Sequence, residues 1–294
     1  MKLSVRTHNG ILLLRRSLAY MWTSKRLLIA VSISIFLNFG IFFAFFYLEY
    51  RMYGVHVFDL STFDLLGDAT LSLHINNLIA IFILLLLSAC ITSFFQIAFV
   101  CDLLRKFENK PLSILKSLGT TILKIKRVIV FGLVLTMNFF EYLINTIDLR
   151  RHCIALRNWL LGLPQLERHP NGAMYFLAPP LIVKNNYTVA EGYKESYRLM
   201  NEKFGKYMRR NYSYNTIKIV VIAISLLFST LIFLRFTNAI AMIVLSLLFI
   251  VPVFTVIDAA AMVFKVALYN YCTQGPLGPF TEADIDILII KDDE

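Results

Sequence analysis

The chain has 294 residues, of which 58% are hydrophobic and 16% charged, with a mean hydropathy of +0.67 and a formal net charge of +10. Soluble domains carry about 25% charged residues, so this composition excludes an ordinary water-soluble fold and predicts a helical membrane protein. An excess of Lys and Arg in such a protein gathers in cytoplasmic loops beside anionic headgroups, so the basic balance does not argue for nucleic acid.

The first third of the chain predicts two membrane spans. An apolar run over 27–48 follows a basic segment without acidic residues, and no cleavable signal peptide is visible. A second run over 78–100 has no charged residue and is long enough to cross a hydrocarbon core of about 30 Å. The loop before it is mainly acidic and the loop after it mainly basic. This bias predicts a cytoplasmic N-terminus and an inward-running second span.

Two basic amphipathic helices are predicted on the cytoplasmic side. The first covers 111–127, with Pro111 in its first turn, and either lies on the inner leaflet or packs on the ends of the spans. The second covers 188–210 and opens with Thr188 and Glu191 at the spacing of a capping box. Together they supply candidate contacts to anionic phospholipid headgroups: Lys116, Lys124, Lys126, Arg127, Lys194, Arg198, Lys203, Lys206, Arg209 and Arg210.

Three more spans are predicted over 128–147, 219–236 and 239–257, the last two as a hairpin whose second helix continues towards Tyr271. Charge bias requires a further crossing, which is placed over 173–183 with its flanks.

The predicted crossing over 173–183 contains Pro179 and Pro180, which remove two backbone donors and predict a helix break. A re-entrant pair over 150–183 is the alternative. The acidic tail, 275–294, is predicted to be cytoplasmic and mainly disordered, although its Asp-Ile alternation also fits a strand or a partner-binding strip.

Three stretches carry a family resemblance: RRSLAYMWTSKRLLI, YFLAPPLIVKNNYTVAEGYKESYRLMNEKFGKYM and ALYNYCTQG. With them the chain resembles an uncharacterised family of bacterial six-span integral membrane proteins. The middle stretch is also distantly similar to the membrane domain of some bacterial glycerophosphodiester phosphodiesterases. Its matching positions are Pro179, Pro180, Glu191, Lys194 and Ser196. The resemblance implies a six-helix protein of the bacterial inner membrane and transfers no activity; the charged region 150–172 departs from the family pattern.

Catalysis is not expected, because the sequence has no hydrolase, metalloprotease or nucleotide-binding motif, and no cofactor is implied. The four cysteines form no C-x-x-C pair and are interpreted as free thiols. On the third predicted span, Asn138, Glu141 and Asn145 share one face as a candidate intramembrane polar stripe, for a proton relay or a cation contact. The alternative is a protonated or interface-solvated Glu141.

Asp258 and Lys265 on the last predicted helix are given structural roles. The polar residues of the second span are neutral and fall short of a site; they are Ser88, Thr92, Ser93 and Gln96.

The fold class is therefore an all-α polytopic bundle with about six transmembrane helices, multi-pass in the inner membrane, with both termini cytoplasmic. The function predicted first is a non-enzymatic protein of membrane organisation, or a partner subunit of another membrane protein, held on anionic lipid by its basic helices. The alternative is a small-solute transporter or permease component using the polar stripe and the broken span. A central cavity would favour the alternative.

Overall fold

The structure, a computed structural model, describes residues 3–53, 71–143, 176–205, 209–210, 215–236 and 239–290. Within these ranges it is all-helical except for one pair of two-residue strands. The helices are α1 Leu3–Trp22, α2 Lys25–Tyr53, α3 Leu71–Phe107, α4 Ile114–Leu123, α5 Ile125–Leu143, α6 Ala178–Lys184, α7 Val189–Phe204, α8 Asn215–Phe236, α9 Ala239–Cys272 and α10 Glu282–Leu288. The strands are β1 Arg209–Arg210 and β2 Ile289–Ile290, which pair antiparallel.

Three of the described helices are long and apolar enough to cross a membrane. Their membrane-length segments are Lys25–Phe45 in α2, Phe82–Phe107 in α3 and Leu248–Cys272 in α9. The spans predicted over 27–48, 78–100 and 239–257 fall in these helices, and α9 continues to Cys272, past the expected end of the last span. The spans predicted over 128–147 and 219–236 correspond to α5 and α8. A total of six spans remains a prediction.

The main core surrounds the C-terminal ends of α3 and α9. At about 1.5 Å per residue, these helices of 37 and 34 residues exceed a hydrocarbon thickness of about 30 Å by some 20 Å each. Their ends are covered by α1, α4, α6, α7 and α10, which we call the base helices. Leu103 of α3, Val263 of α9, Leu13 of α1, Leu181 of α6 and Phe204 of α7 pack in one buried cluster.

Helix α1 lies in the basic N-terminal segment, where the sequence did not predict a helix. It is held at its end by Lys106 of α3, whose Nζ donates to the Tyr20 carbonyl at 2.8 Å and to Thr23 Oγ1 at 2.7 Å. The same ammonium lies 3.9 Å from the centre of the Tyr20 ring. Burial raises the pKa of Tyr20 to about 12, so its hydroxyl stays neutral at physiological pH.

The two adjacent prolines begin a helix. Pro179 and Pro180 lie in the first turn of α6, where a missing N–H removes no intrahelical bond. A helix before the predicted break would fall on residues outside the described ranges. Helix α6 has seven residues, about 10 Å, and cannot alone make the crossing predicted over 173–183. Most of the re-entrant alternative, residues 150–175, lies outside the described residues.

Helix α7 starts where the sequence predicted. Thr188 Oγ1 accepts a hydrogen bond from the Glu191 N–H at 3.3 Å, and Glu191 Oε2 accepts one from the Thr188 N–H at 2.8 Å, which confirms the capping box. A Cβ on Gly192 would lie 2.9 Å from Ile182 Cγ1, so this glycine lets α7 pack closely on α6. Val189, Tyr193, Met200 and Phe204 are buried against the protein.

The helix predicted over 111–127 is shorter than expected. Pro111 lies before it, α4 begins at Ile114 with Ser113 as its N-cap, and it ends at Leu123. Helix α5 follows at once from Ile125. The basic residues at the end of the predicted helix therefore belong to the α4–α5 junction and the first turn of α5.

The acidic tail is docked, so the prediction of a disordered tail is wrong for residues 281–290. Thr281 caps α10 reciprocally with Asp284, and Asp284 also pairs with Arg16 of α1. Ile285 and Leu288 are buried in the main core. The alternation of Asp and Ile thus produces one short helix with a buried face, followed by β2.

The docking of α10 is expected to weaken in acid. Burial raises the pKa of Asp284, but hydrogen bonds from the Thr281 N–H and hydroxyl and from Arg16 outweigh it and leave the pKa below its ordinary value. The stabilisation is therefore present above about pH 4, the pKa of an unfolded Asp, and is lost as the pH falls through the lower folded pKa. The protection of the 282–290 amides from hydrogen exchange, measured against the intrinsic exchange rate at each pH, should fall below about pH 4 in the wild type. Asp284→Asn should flatten this dependence; an unchanged pH profile in the variant would contradict the assignment.

Candidate intramembrane cavity and lipid-facing surface

A cavity of about 300 Å³ lies between α2, α3 and α9. Its walls combine an aromatic side with a row of uncharged polar side chains. Ser34 and Asn38 come from α2, and Ser88, Thr92 and Gln96 from α3, each set spaced by four residues and therefore on one helical face. We call these five residues the polar seam.

Hydrogen bonds across the polar seam join α2 to α3. Asn38 is 3% exposed, and its Nδ2 donates to the Ser34 carbonyl at 2.9 Å and to Thr92 Oγ1 at 3.3 Å. Ser88 Oγ donates to Asn38 Oδ1 at 2.6 Å. Interhelical hydrogen bonds of this kind contribute about 0.6 kcal/mol each within a membrane, so the seam orients the two helices more than it stabilises them.

A second cavity, of about 340 Å³, lies on the other side of the same α3 face, between α3, α5 and α9. Ser88, Thr92 and Gln96 line both cavities. The buried Gln96 Oε1 has no hydrogen-bond partner among the described residues. A buried acceptor without a donor costs about 1–3 kcal/mol, so this atom is suited to a donor from a bound molecule or water.

A charged group lies at one end of the two cavities. Asp258 of α9 lines both, and its Oδ1 lies 2.7 Å from Lys218 Nζ of α8. Lys265, two turns further along α9, lines the second cavity. Asp258 therefore forms an ion pair between α8 and α9, which is a structural role. Asp258 and Lys265 also line the cavities.

The predicted polar stripe falls outside the described side chains. Asn138 and Glu141 lie in α5 but their side chains are outside the described residues, as is Asn145 altogether. The described side chains that α5 contributes to the second cavity are Phe131, Leu135 and Thr136. The sequence did not predict the polar seam, because all of its residues are uncharged. The signal that could have revealed it is the four-residue spacing of polar residues within α2 and within α3.

Helix α4 buries its polar side and exposes its apolar side. Ser117 and Thr121 are buried, and Ser117 Oγ donates to Asp102 Oδ1 of α3 at 2.6 Å. Asp102 itself is 1% exposed. On the other side Leu115 is 83% and Leu123 88% exposed. An apolar face turned outward is unusual for a helix packed on a soluble surface and typical of one at a lipid interface.

The predicted headgroup contacts on α4 and α5 divide into two groups. Lys116 and Lys126 are exposed. Lys124 is turned inward, where its Nζ donates to the carbonyls of Ile182 at 3.1 Å and Val183 at 2.8 Å. Burial lowers the pKa of Lys124, and its ammonium binds the last turn of α6 instead of the headgroup predicted for it. Arg127 donates to Asn186 Oδ1.

Two basic residues of the second predicted segment contact other side chains of the protein. Arg198 forms ion pairs with Glu195 at 2.6 Å and Glu202 at 2.7 Å, and Lys203 Nζ lies 4.8 Å from the centre of the Tyr271 ring. Lys194 is exposed. Lys206 is outside the described residues, and Arg209 and Arg210 form β1, where their side chains are not described.

Comparison with known proteins finds no match. No family model, no curated protein and no solved structure matches the chain. The family resemblance therefore depends on the three sequence stretches alone. Among the described residues, no group of three or more His, Cys, Asp and Glu side chains could hold a metal ion.

Proposed function

We propose that this chain is a polytopic membrane protein that admits a small molecule to the cavities beside α3, as a transporter or permease component. The observation that carries the proposal is the pair of cavities that share the α3 residues of the polar seam, where a buried amide oxygen has no partner among the described residues. Sites of about 300 Å³ with few convergent polar groups are typical of small-molecule binding.

The proposal includes the predicted topology. Six spans in the bacterial inner membrane would place both termini and the base helices in the cytoplasm, as the basic loops favour. The Lys218–Asp258 end of the cavities would then face the cytoplasmic side. The proposed role is non-enzymatic: the binding of a small molecule would use only the hydrogen bonds and the charge that the described cavity walls offer.

The accessibility of the cavity can be tested with two neighbouring cysteines. In a background with all four native cysteines replaced by alanine, Ser88→Cys should react with a small membrane-impermeant thiol reagent about tenfold faster than Leu87→Cys, because thiols react as thiolates, which need water. Ser88 lines both cavities, whereas Leu87 is one residue away and 50% exposed on the outside of α3. Equally slow reaction at both positions would refute a solute-accessible cavity.

A second candidate function is the organisation of anionic membrane, alone or as the subunit of a membrane-protein partner. The outward apolar face of α4 favours it, because Leu115 and Leu123 would enter the lipid while Lys116 and Lys126 meet anionic phospholipid. The exposed Ile125 and Ile129 continue this apolar face into α5.

An environment-sensitive fluorophore tests the position of α4. On Leu123→Cys it should be quenched by brominated acyl chains in vesicles that contain phosphatidylglycerol, and less in phosphatidylcholine alone. The same fluorophore on Lys194→Cys, on the exposed side of α7, is the control. Equal quenching at the two positions, or in the two lipids, would count against lipid anchoring by α4.

A further inference from the structure

Two kinds of side chain line the first cavity. Four phenylalanines and one methionine, contributed by three different helices, form an apolar part. They are Phe42 of α2, Phe95 and Phe99 of α3, and Phe254 and Met262 of α9. The polar seam forms a second part. A sugar or an inorganic ion would leave the aromatic rings without a partner, whereas a molecule with an apolar chain and a hydrogen-bonding head would match both parts.

The polar seam leaves a hydrogen-bond acceptor for a ligand. The Asn38 amide is engaged at both ends, since Nδ2 donates to two oxygens and Oδ1 accepts from Ser88. Gln96 Oε1 instead has no partner among the described residues. Because the last side-chain torsion of glutamine is broad, a rotation of this amide turns the oxygen towards the cavity that Gln96 lines. A ligand hydroxyl can donate to this oxygen, whereas an ether cannot.

The apolar part of the cavity reaches the outer surface of the bundle. Phe42, Ile250 and Phe254 line the cavity and are each only partly buried. Next to them along the chain, Phe43 of α2 is 49% exposed and Phe249 of α9 is 45% exposed. Because α2 and α9 are two of the three described helices of membrane length, this surface would face hydrocarbon. A ligand with an apolar chain can therefore enter sideways from the bilayer.

The charge at the wall of the first cavity is balanced. Among the described residues that line this cavity, Asp258 is the one ionisable side chain, and Lys218 Nζ lies 2.7 Å from its Oδ1. The same ammonium lies 5.0 Å from the centre of the Phe254 ring. The pair has a net charge of zero with both groups ionised. A charged head buried in this cavity would lose its hydration without gaining a counter-charge, so an uncharged head is favoured.

From these four observations we infer that the ligand is an uncharged lipid with a free hydroxyl group on its head, which enters laterally between α2 and α9 and donates that hydroxyl to Gln96. This inference rests on the proposed function, since it names the class of molecule that the cavity admits. Two sources share this chemistry: a diacylglycerol and a single-chain, long-chain alcohol.

Photo-crosslinking with the full-length protein in phosphatidylcholine vesicles tests the head group. The diacyl probes are diacylglycerol, its methyl ether and phosphatidic acid, and the single-chain probes are a long-chain alcohol, its methyl ether and the fatty acid. Each has the same photoreactive group in its chain and is mixed in trace amount with the vesicle lipid before reconstitution, so that both leaflets contain it. Crosslinked residues are mapped by mass spectrometry.

Two residues report the result of the crosslinking. Phe99 is 3% exposed and lines the cavity, so surrounding lipid does not reach it, whereas Leu37 is 45% exposed and reports surrounding lipid. After normalisation to Leu37, crosslinking at Phe99 is expected to be about fivefold higher for a hydroxyl probe than for its methyl ether, because the ether cannot donate to Gln96. It is expected to be about tenfold higher for the hydroxyl probe than for the acid of the same scaffold.

Two variants of α3 test the role of Gln96. Gln96→Leu should make the hydroxyl probe and its ether about equal at Phe99, because the acceptor is removed. Ser93→Ala is the matched control: Ser93 Oγ is also buried without a partner among the described residues, but Ser93 is not among the residues that line either cavity. This variant should keep the roughly fivefold preference for the hydroxyl.

Filling the cavity supplies a second matched pair. Ala259→Phe should reduce crosslinking at Phe99 about fivefold or more, because Ala259 lines the cavity, while Ala44→Phe, at an exposed position of α2 outside it, should not. Ser34→Leu, also in the wall, serves if Ala259→Phe lowers the thermal stability of the protein.

The outcomes distinguish the inference from the function on which it rests. A hydroxyl preference among the diacyl probes identifies a diacylglycerol, and one among the single-chain probes identifies an alcohol. Equal crosslinking at Phe99 by hydroxyl and ether, stronger crosslinking by the acids, or crosslinking at Leu37 alone would overturn the inference. If Ser88→Cys still reacts with the water-soluble reagent in that case, the cavity admits a solute and only the class of ligand is wrong; if it does not react, the proposed function fails as well.

Discussion

Replacing Gly132 by leucine is expected to separate α3 from α5 and to lower the thermal stability of the protein more than a substitution at the bundle surface. A Cβ at this position would lie 2.9 Å from Cys90 Cα and 3.0 Å from Cys90 N, and backbone atoms of a neighbouring helix cannot rotate away. Small residues at such crossings let membrane helices approach closely. Overpacking of this kind costs about 1–3 kcal/mol or more.

The matched control for Gly132→Leu is Gly40→Leu in α2. No described atom lies within 4 Å of a Cβ at Gly40, and both glycines lie inside apolar helices, so the gain in helix propensity is similar in the two variants. The measurement is the temperature at which half of the detergent-solubilised protein is lost from the monodisperse peak in gel filtration. Equal midpoints for the two variants would show that the close approach of α3 and α5 is unimportant for stability.

Replacing Asp102 by leucine is expected to release α4 from α3. The carboxylate of Asp102 accepts a hydrogen bond from the buried Ser117 hydroxyl, and leucine would leave that hydroxyl without its acceptor. An unsatisfied buried polar group costs about 1–3 kcal/mol, which corresponds to a roughly 5- to 160-fold increase in the population of the open state. Trypsin cleavage at the exposed Lys116 should accelerate accordingly.

Asp102→Asn is the control, because its amide oxygen can still accept from Ser117 while the formal charge is removed. We expect trypsin to cleave this variant at a rate much closer to that of the wild type. If Asp102→Asn and Asp102→Leu are cleaved equally fast, the charge of Asp102 rather than its hydrogen bond holds α4 in place. If neither is cleaved faster than the wild type, α4 is held by other contacts.

The described cavities reverse the order of the two functions that the sequence suggested. The sequence ranked membrane organisation above transport, because it predicted two basic helices on one side, while the transport alternative depended on the stripe around Glu141 and the broken span. The polar seam lies elsewhere, on α2 and α3, and each of its residues is unremarkable alone. Asn38 and Thr92 become a site only because α2 and α3 place them within hydrogen-bond distance. The outward apolar face of α4 keeps lipid anchoring as a second role that is compatible with transport.

The sequence predicted correctly those features whose free energy depends on residues close together in the chain. Transfer of an apolar run into hydrocarbon depends on the run itself, so the membrane-length helices α2, α3 and α9 could be placed from composition and length. The capping box of Thr188 and Glu191 likewise depends on atoms three residues apart, and the structure has it where the sequence predicted it.

The tertiary structure decided what depends on distant partners. Pro179 and Pro180 fit a helix start as well as a break, and the packed chain places them in the first turn of α6. The acidic tail has too few apolar residues to fold alone, but α10 buries Ile285 and Leu288 in a core built by α1, α3 and α9. The free energy of this burial is summed over apolar surfaces that lie far apart in the sequence, so a local sequence pattern cannot predict it. By itself the sequence therefore determined that this is a helical protein with membrane-length segments, and the packing of those helices decided where its polar groups meet.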